Sequence, residues 1–270
     1  MQNIKLNNGL EIPQLGLGVW KADNGQEAIN AVHWALEAGY RHVDTASIYK
    51  NEEAVGRALK TASVPRKDVW LTTKIWNDDV RAGRTTTALD EALVRLKTDY
   101  IDLLLIHWPV DGYLAAWREM ERALTAGKVR AIGVSNFMEE HLTDIVEQGE
   151  TMPAINQIEY HPYLVQSDAI GYCDTHDIGI TAWSPLMQGN FKDEPLFAGI
   201  ARTYGKSPAQ VILRWCLQND IIAIPKSTNQ GRIQENADIF DFELSEEHMI
   251  AIDELERGQR FGPDPLDFDF

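Results

Sequence analysis

The sequence offers little for a metal centre, a disulfide bond or a membrane span. Its 270 residues include two cysteines, Cys173 and Cys216, and neither belongs to a CxxC pair or another ligand spacing. We therefore expect both to be buried, reduced thiols. No apolar run approaches the roughly 18 residues of a membrane span, and the first residues lack the apolar stretch of a signal peptide. These absences predict a cytoplasmic protein without a membrane partner.

Positive charge is also scarce. The chain carries 25 lysine and arginine residues against 41 aspartate and glutamate residues, a formal net charge of −16. Because nothing would offset the repulsion of phosphate groups, this composition disfavours a nucleic-acid or anionic-membrane partner. A small solute remains the easier partner, and no obligate protein partner is evident.

The length allows a sizeable core but does not separate one large domain from two small ones.

The glycine fingerprint of a doubly wound dinucleotide-binding fold is missing, because Gly16-Leu17-Gly18-Val19-Trp20-Lys21 has no third glycine and is more typical of a strand. The chain instead alternates short apolar runs with segments of helical period. The apolar runs cover 15–19, 41–44, 69–73, 101–106, 129–134, 154–157, 179–182 and 221–223. The helical segments cover 27–38, 52–60, 85–96, 114–126, 139–147, 166–176, 208–218 and 232–239.

A strand followed by a helix, repeated eight times in about 250 residues, is typical of a closed (β/α)8 barrel. We therefore predict an α/β protein built as one (β/α)8 TIM-barrel domain over residues 1–270. Asn8-Gly9, between alternating residues, predicts an N-terminal β-hairpin, and the C-terminal part predicts extra helices, including 246–256. The long loop from Ser184 to Phe191 should lie at the C-terminal face of the strands, where barrel active sites are built.

Chemically active residues follow three consecutive predicted strands. Asp44 ends the second strand, Tyr49 lies in the loop before Asn51, a candidate helix N-cap, Lys74 follows the third strand and His107 the fourth. Singly, each has an ordinary explanation, since such a lysine is usually a solvated cation and aspartate is a common turn residue. Together they would share one barrel mouth. They are our candidate catalytic group.

This group suits protonation of a carbonyl oxygen. A free tyrosine has a pKa of about 10 and is a poor acid at neutral pH, but a neighbouring ammonium lowers that pKa. Lys74 can supply the ammonium, Asp44 can hold the lysine as an ion pair, and His107 can orient the carbonyl. No side chain is a convincing nucleophile, so attack on the carbon requires a borrowed hydride and hence a nicotinamide cofactor.

No metal site is predicted. The remaining histidines show neither HExxH nor the His-x-His spacing of a barrel hydrolase. A metal-dependent hydrolase is therefore a disfavoured alternative.

A phosphate site is predicted after the eighth strand. The segment 224–236 places Lys226, Ser227 and Arg232 in a loop that runs into a helix N-terminus. Helix N-termini with neighbouring cations bind phosphate, and barrels often place such a site after strands seven and eight. The two cations suit a phosphate monoester such as the 2′-phosphate of NADP. The alternative is a capped surface helix that binds nothing.

The whole chain resembles the aldo-keto reductase family, on three ordered motifs at 39–56, 93–103 and 224–236. The resemblance implies a (β/α)8 barrel that reduces aldehydes and ketones with NADPH, and a catalytic tetrad of Asp44, Tyr49, Lys74 and His107. Ser-Asn after the fifth strand, Trp-Ser-Pro-Leu after the seventh and the Gly-Pro-Asp-Pro ending are most similar to bacterial 2,5-diketo-D-gluconate reductases and glyoxal reductases. The family also suggests a monomer.

The same resemblance assigns cofactor and pocket residues. The nicotinamide would be held by Ser135, Asn136, Gln157 and Trp183, and the pyrophosphate by Ser184 and Leu186. The 2′-phosphate would be held by Lys226, Ser227 and Arg232, and the adenine by Glu235 and Asn236. The substrate pocket would be lined by Trp20, Ile48, Trp76, Trp108, Phe137 and Met187.

Several questions stay open at the level of sequence. Asn229 stands where some relatives place another cation, so NADH use remains an alternative to NADPH. The tail is short, so we expect an open mouth and broad substrate tolerance, and the sequence does not name the physiological carbonyl. A barrel that senses NADP or serves a structural role without catalysis is the alternative function, although an intact tetrad disfavours it.

Overall fold

The computed structural model describes residues 2–270. Their strands are β1 (Asn3–Lys5), β2 (Glu11–Pro13), β3 (Leu17–Gly18), β4 (His42–Asp44), β5 (Trp70–Ile75), β6 (Ile101–Ile106), β7 (Val129–Ser135), β8 (Ile155–Glu159), β9 (Gly179–Trp183) and β10 (Ile222–Ala223). The first two form the predicted antiparallel hairpin, and β3 to β10 form one eight-stranded parallel sheet in sequence order. All eight predicted barrel strands are present.

The eight-stranded sheet closes on itself. Parallel bridges join Leu15 to Ala223 and Gly18 to Lys226, so the first barrel strand lies beside the last. A Cβ atom on Gly18 would lie 2.9 Å from the backbone oxygen of Ile224, so this close approach requires glycine. Gly18, which belongs to the segment without a dinucleotide fingerprint, thus lets the first and last barrel strands pack closely together. The predicted (β/α)8 barrel is confirmed.

The N-terminal hairpin covers one end of the barrel. Gly9 forms its turn with a φ of +83°, which glycine adopts without strain. Leu6 and Ile12 are buried in one apolar cluster with Trp70 and Ile155, the first residues of β5 and β8. The hairpin therefore closes the N-terminal end of the strands, and the opposite end carries the loops.

The helices pack around the sheet. They are α1 (Gln26–Glu37), α2 (Glu52–Thr61), α3 (Asn77–Arg81), α4 (Thr85–Leu96), α5 (Tyr113–Thr125), α6 (Glu139–Gln148), α7 (Ser167–Thr175), α8 (Pro195–Tyr204), α9 (Pro208–Gln218), α10 (Gln230–Ala237) and α11 (Glu246–Asp253). Every predicted helix is present to within a few residues, whereas α3 and α8 were not predicted. Of the expected extra C-terminal helices the structure contains α11, and residues 254–270 form turns and bends.

The core has an inner and an outer part because side chains alternate along each strand. In β6, Leu103 and Leu105 join the cluster inside the barrel, while Leu104 and Ile106 join the larger cluster with the surrounding helices. Within residues 2–270, no helix has both the length and the apolar character needed to cross a membrane.

Candidate active site

A cavity of about 1190 Å³ opens at the carboxyl ends of the barrel strands. It extends from the indoles of Trp76 and Trp108 at one end to Arg232 and Asn236 of α10 at the other. Asp44, Tyr49 and His107 line it, and so do all eleven residues that the resemblance assigned to the cofactor: Ser135, Asn136, Gln157, Trp183, Ser184, Leu186, Lys226, Ser227, Arg232, Glu235 and Asn236. The predicted catalytic and cofactor residues are therefore brought to one cavity.

Lys74 and Asp44 form a buried ion pair beneath the cavity. Asp44 is the last residue of β4, and Lys74 lies on the adjacent strand β5. Lys74 Nζ donates to Asp44 Oδ1 at 2.5 Å and to the backbone oxygen of Thr45 at 2.9 Å. It lies 5.2 Å from the ring centroid of Tyr49. Gln157 Nε2 donates to Asp44 Oδ2 at 2.8 Å, so the carboxylate is fixed through both oxygens.

Both members of the Lys74–Tyr49 couple keep their protons at neutral pH. Burial acts to lower the pKa of Lys74, but Asp44 and Tyr49 outweigh it and the net pKa is raised, so the ammonium stays charged. Burial raises the pKa of Tyr49 above its ordinary value of 10.0, and this outweighs the lowering by Lys74. The expectation that Lys74 leaves this tyrosine with a lowered pKa is therefore wrong, because loss of solvent dominates.

His107 follows β6 and is a neutral imidazole. Burial and the charge of Lys74 hold its pKa well below the ordinary value of 6.5. Its Nδ1 is buried and has no hydrogen-bond partner. Burying an N–H group without an acceptor costs more free energy than burying a nitrogen lone pair without a donor. The proton of the neutral ring therefore belongs on Nε2, and Nδ1 carries the lone pair. Tyr49 and Trp76 contact the ring edge to face, with centroids 5.8 Å and 5.1 Å away.

The loop that carries Tyr49 is held by Asn51. This residue stands at the N-cap position of α2, as predicted, but its side chain caps nothing. Its Oδ1 accepts from Thr45 Oγ1 at 2.8 Å, and its Nδ2 donates to the backbone oxygens of Val19 at 2.8 Å and Ala22 at 3.1 Å. Asn51 therefore ties the Tyr49 loop to the segment after β3.

A second hydrogen-bonded chain fixes Trp183, the last residue of β9. Trp183 Nε1 donates to Asn136 Oδ1 at 2.8 Å, and Asn136 Nδ2 donates to the backbone oxygen of His107 at 3.0 Å. Ser135 Oγ donates to the backbone oxygen of Gln157 at 2.8 Å. The amide of Asn136 thus positions the indole.

The far end of the cavity is positively charged. Asn229 is the N-cap of α10, where its Oδ1 accepts from the backbone N–H of Arg232 at 3.0 Å, so it organises the helix terminus instead of adding a cation. The cavity is lined by Lys21, Lys192, Lys226 and Arg232, and none of them forms an ion pair within residues 2–270. In so acidic a chain, four unpaired cations on one cavity fit a ligand with several phosphate groups.

Two residues expected in the substrate pocket lie elsewhere. Trp20, Ile48, Trp76 and Trp108 line the cavity, but Phe137 and Met187 do not, and both are completely buried. Phe137 packs instead against Tyr113 and His141 on the outer side of the sheet, with centroids 5.3 Å and 5.8 Å away. These two assignments are therefore corrected.

The C-terminal tail reaches the cavity. Phe270 stacks on Trp76 with centroids 5.9 Å apart and an angle of 4° between the rings, and it meets Trp108 edge on at 5.1 Å. Its backbone oxygen accepts from Arg81 Nη2 at 2.9 Å and Asn77 Nδ2 at 3.3 Å. Phe261, Gly262 and Pro263 of the tail also line the cavity. Sequence reasoning missed these residues, for which no local pattern existed.

Comparison with known proteins identifies the class. Residues 14–257 match the aldo/keto reductase family. The chain is 49% identical over 263 residues to glyoxal reductase of Bacillus subtilis, covering 97% of this chain and 95% of that protein. It is 46% identical over 270 residues to methylglyoxal reductase DkgA of Escherichia coli, covering 98% and 97%. The structure of a Bombyx mori aldo-keto reductase in complex with NADP matches with a TM-score of 0.88 and 37% identity, covering 96% of this chain and 94% of that one.

The chain belongs to the aldo/keto reductase family. The resemblance drawn from the three sequence motifs is confirmed, including its leaning toward the glyoxal reductases. The protein is an oxidoreductase, and its family and structural neighbours support carbonyl reduction with NADPH.

Proposed function

We propose that this oxidoreductase reduces small aldehydes and ketones, including dicarbonyls, with Tyr49 as the proton donor. The observation that carries the proposal is the buried Lys74–Asp44 pair beside a phenol and a neutral imidazole. This group stands at one end of a cavity whose other end carries unpaired cations. A proton donor and a polyanion site in one cavity suit NADPH-dependent reduction.

Each residue of the catalytic group has a separate role in the proposed carbonyl reduction. A neutral His107 donates from Nε2 to the carbonyl oxygen and so fixes its position. NADPH, when bound, would supply the hydride for the carbonyl carbon. Tyr49 gives its phenolic proton to the oxygen as negative charge develops there, and the Lys74 ammonium stabilises the phenolate that remains. Asp44, fixed by Lys74 and Gln157, keeps the ammonium in place.

The cavity also fits the cofactor along its length. Trp183 would lie against the nicotinamide ring, and Ser135, Asn136 and Gln157 would hold its carboxamide. Ser184 and Leu186 would follow the pyrophosphate, while Lys226, Ser227 and Arg232 would hold the 2′-phosphate and Glu235 and Asn236 the adenine. We assign a preference for NADPH over NADH because Lys226 and Arg232 are both free to bind a monoester and each charged hydrogen bond contributes about 1.5–3 kcal/mol.

The substrate end is largely aromatic, and the Lys21 ammonium lies 4.0 Å from the ring centroid of Trp20. Trp20, Trp76, Trp108 and Phe270 form its walls, so it suits compact carbonyls and aromatic aldehydes. Similarity to glyoxal and methylglyoxal reductases supports dicarbonyls as one class. A panel of methylglyoxal, a diketo-sugar acid and an aromatic aldehyde, with NADPH and with NADH, ranks these classes. We place the reaction in the cytoplasm.

The assignment of Tyr49 is tested by Tyr49→Phe, which removes only the phenolic oxygen. NADPH affinity should stay within about twofold, while turnover should fall by about 10² to 10⁴, the usual worth of a positioned acid. Tyr172→Phe, a tyrosine outside the cavity, is the matched control. Unchanged carbonyl reduction by Tyr49→Phe would sink the assignment, and NADPH binding without turnover in the unsubstituted protein would favour a cofactor sensor.

A further inference from the structure

Glu159, the last residue of β8, is a fully buried carboxylate outside the proposed catalytic group. Its Oε1 accepts from His161 Nε2 at 3.1 Å and from the backbone N–H of Phe261 at 2.7 Å. Its Oε2 accepts from the backbone N–H of Gly262 at 3.2 Å. No lysine or arginine of residues 2–270 pairs with it. The carboxylate is thus satisfied by one ring and by two consecutive amides of the tail.

His161 supplies one of the N–H donors to this carboxylate. It is fully buried, and its Nδ1 has no hydrogen-bond partner. A proton on Nε2 gives Glu159 a donor and leaves Nδ1 as a bare lone pair. Three N–H donors then converge on one carboxylate, which is enough to stabilise it in the core.

Gly262, one of the two tail residues that Glu159 holds, packs against the indole of Trp183. A Cβ atom built on Gly262 would lie 2.3 Å from Trp183 Cη2 and 2.9 Å from Cζ3, so the glycine backbone packs directly against the six-membered ring. At its other end the indole is held by Asn136, which accepts from Nε1 at 2.8 Å. The indole is therefore fixed at one end by a hydrogen bond and at the other by backbone contact.

We propose that Glu159 is a positioning residue for Trp183, acting through the Phe261–Gly262 backbone. It holds that backbone against the indole and so sets the surface offered to the nicotinamide. The inference rests on the proposed function, which places Trp183 against the cofactor ring. Glu159 itself does not line the cavity and takes no part in proton transfer.

The test is a double-substitution cycle on NADPH affinity, measured by isothermal titration calorimetry. Glu159→Gln keeps the shape but turns one acceptor into a donor that faces a backbone N–H, and we expect it to raise the Kd about tenfold. In a Trp183→Ala background the same change should raise the Kd by less than about twofold, because the group through which it acts is gone.

A second substitution reaches the same contact from the tail. Gly262→Ala leaves Glu159 intact but places a methyl group where the indole stands, and it should reproduce the rise in Kd and its loss in the Trp183→Ala background. If Glu159→Gln does not fold, Gly262→Ala still tests whether the tail contact with Trp183 sets the NADPH affinity. The matched control is Glu256→Gln, since that exposed carboxylate also accepts backbone N–H groups, from Val165 and Gly258, without reaching Trp183. It should leave the Kd unchanged.

The outcomes separate the two proposals. An equal rise in Kd in both backgrounds would show a merely structural tether and overturn the role of Glu159, as would no change from either Glu159→Gln or Gly262→Ala. Failure of the unsubstituted protein to bind NADPH would instead overturn the proposed function, and the inference with it.

Discussion

At the scale of single residues, the chemistry depends on which groups hold a proton. Loss of solvent raises the pKa of Tyr49 and lowers that of His107, and the Lys74 charge adds to the lowering at His107. Both groups are consequently neutral across the physiological range. A neutral phenol is the acid that carbonyl reduction needs, and a neutral imidazole is the hydrogen-bond donor that orients its substrate.

This state predicts the pH profile of carbonyl reduction. A general acid must be protonated, so kcat/KM should fall only as pH rises through the pKa of Tyr49, which lies above the ordinary value of about 10. No limb should appear near the ordinary histidine pKa of about 6.5, because His107 does not take up a proton there. The measurement is kcat/KM for a small aldehyde against pH in buffers of constant ionic strength. A limb near pH 6.5 that disappears in His107→Gln would contradict the neutral-imidazole assignment.

The residues that sequence reasoning placed well are those next to the ends of strands. Asp44, Lys74 and His107 are reached by counting along regular structure, since parallel strands bring their carboxyl ends together. Phe137 was misplaced because it follows Asn136, whose φ of +63° lies in the left-handed region. The alternation of side chains does not continue across such a residue, so nothing local shows which way the next side chain points.

At the scale of secondary-structure elements, α8 was missed although its boundary signals are present. Pro195 occupies the first turn, the Glu194 side chain accepts from the backbone N–H of Leu196, and Gly205 ends the helix with a φ of +65°. The segment lies between the predicted loop 184–191 and the predicted helix 208–218, and a barrel unit needs only one helix there. The tail could not be predicted at all, because its partners are 102 to 193 positions away in the chain.

The tail predicts a selective effect on substrates. Phe270→Ala removes the ring stacked on Trp76 and should raise KM for an aromatic aldehyde about three- to tenfold, the usual worth of an aromatic pair. Methylglyoxal should be affected by less than about twofold, because it has no ring to stack. Leu266→Ala is the control, since that exposed tail residue does not line the cavity. Equal changes for both substrates would argue against Phe270 as a wall of the pocket.

At the scale of the whole molecule, we propose that residues 1–270 form one domain. The larger apolar cluster runs from Leu15 to Ile252, and the hairpin and tail pack against the same barrel. Charge is distributed unevenly over this unit. The net charge is −16, yet Lys21, Lys192, Lys226 and Arg232 gather on the cavity. The molecule therefore repels anions in general and accepts them at one place.

Local attraction of this kind predicts a salt-sensitive cofactor affinity. Raising the ionic strength from about 0.02 M to about 0.15 M should raise the Kd for NADPH severalfold, because screening shortens the reach of exposed charges to about 8 Å. Lys192→Gln should raise the Kd roughly fivefold at low salt and flatten the salt dependence. Lys67→Gln, an exposed lysine away from the cavity, serves as control in the same calorimetric titrations. Identical behaviour of the two variants would mean that Lys192 does not meet the cofactor.

The hairpin at the N-terminal end of the barrel has a consequence for how substrate enters and product leaves the cavity. Leu6 and Ile12 cover an end of the barrel whose interior is already filled by Leu103, Leu105 and Ile155, so the cavity is reached from the loop end of the strands. A substrate bound beside Trp76 and a cofactor bound beside Arg232 share this one cavity and exchange with solvent at the same end of the barrel. Incoming substrate and cofactor therefore cannot displace the products toward a second exit. The products must leave by the route through which the substrate and cofactor entered.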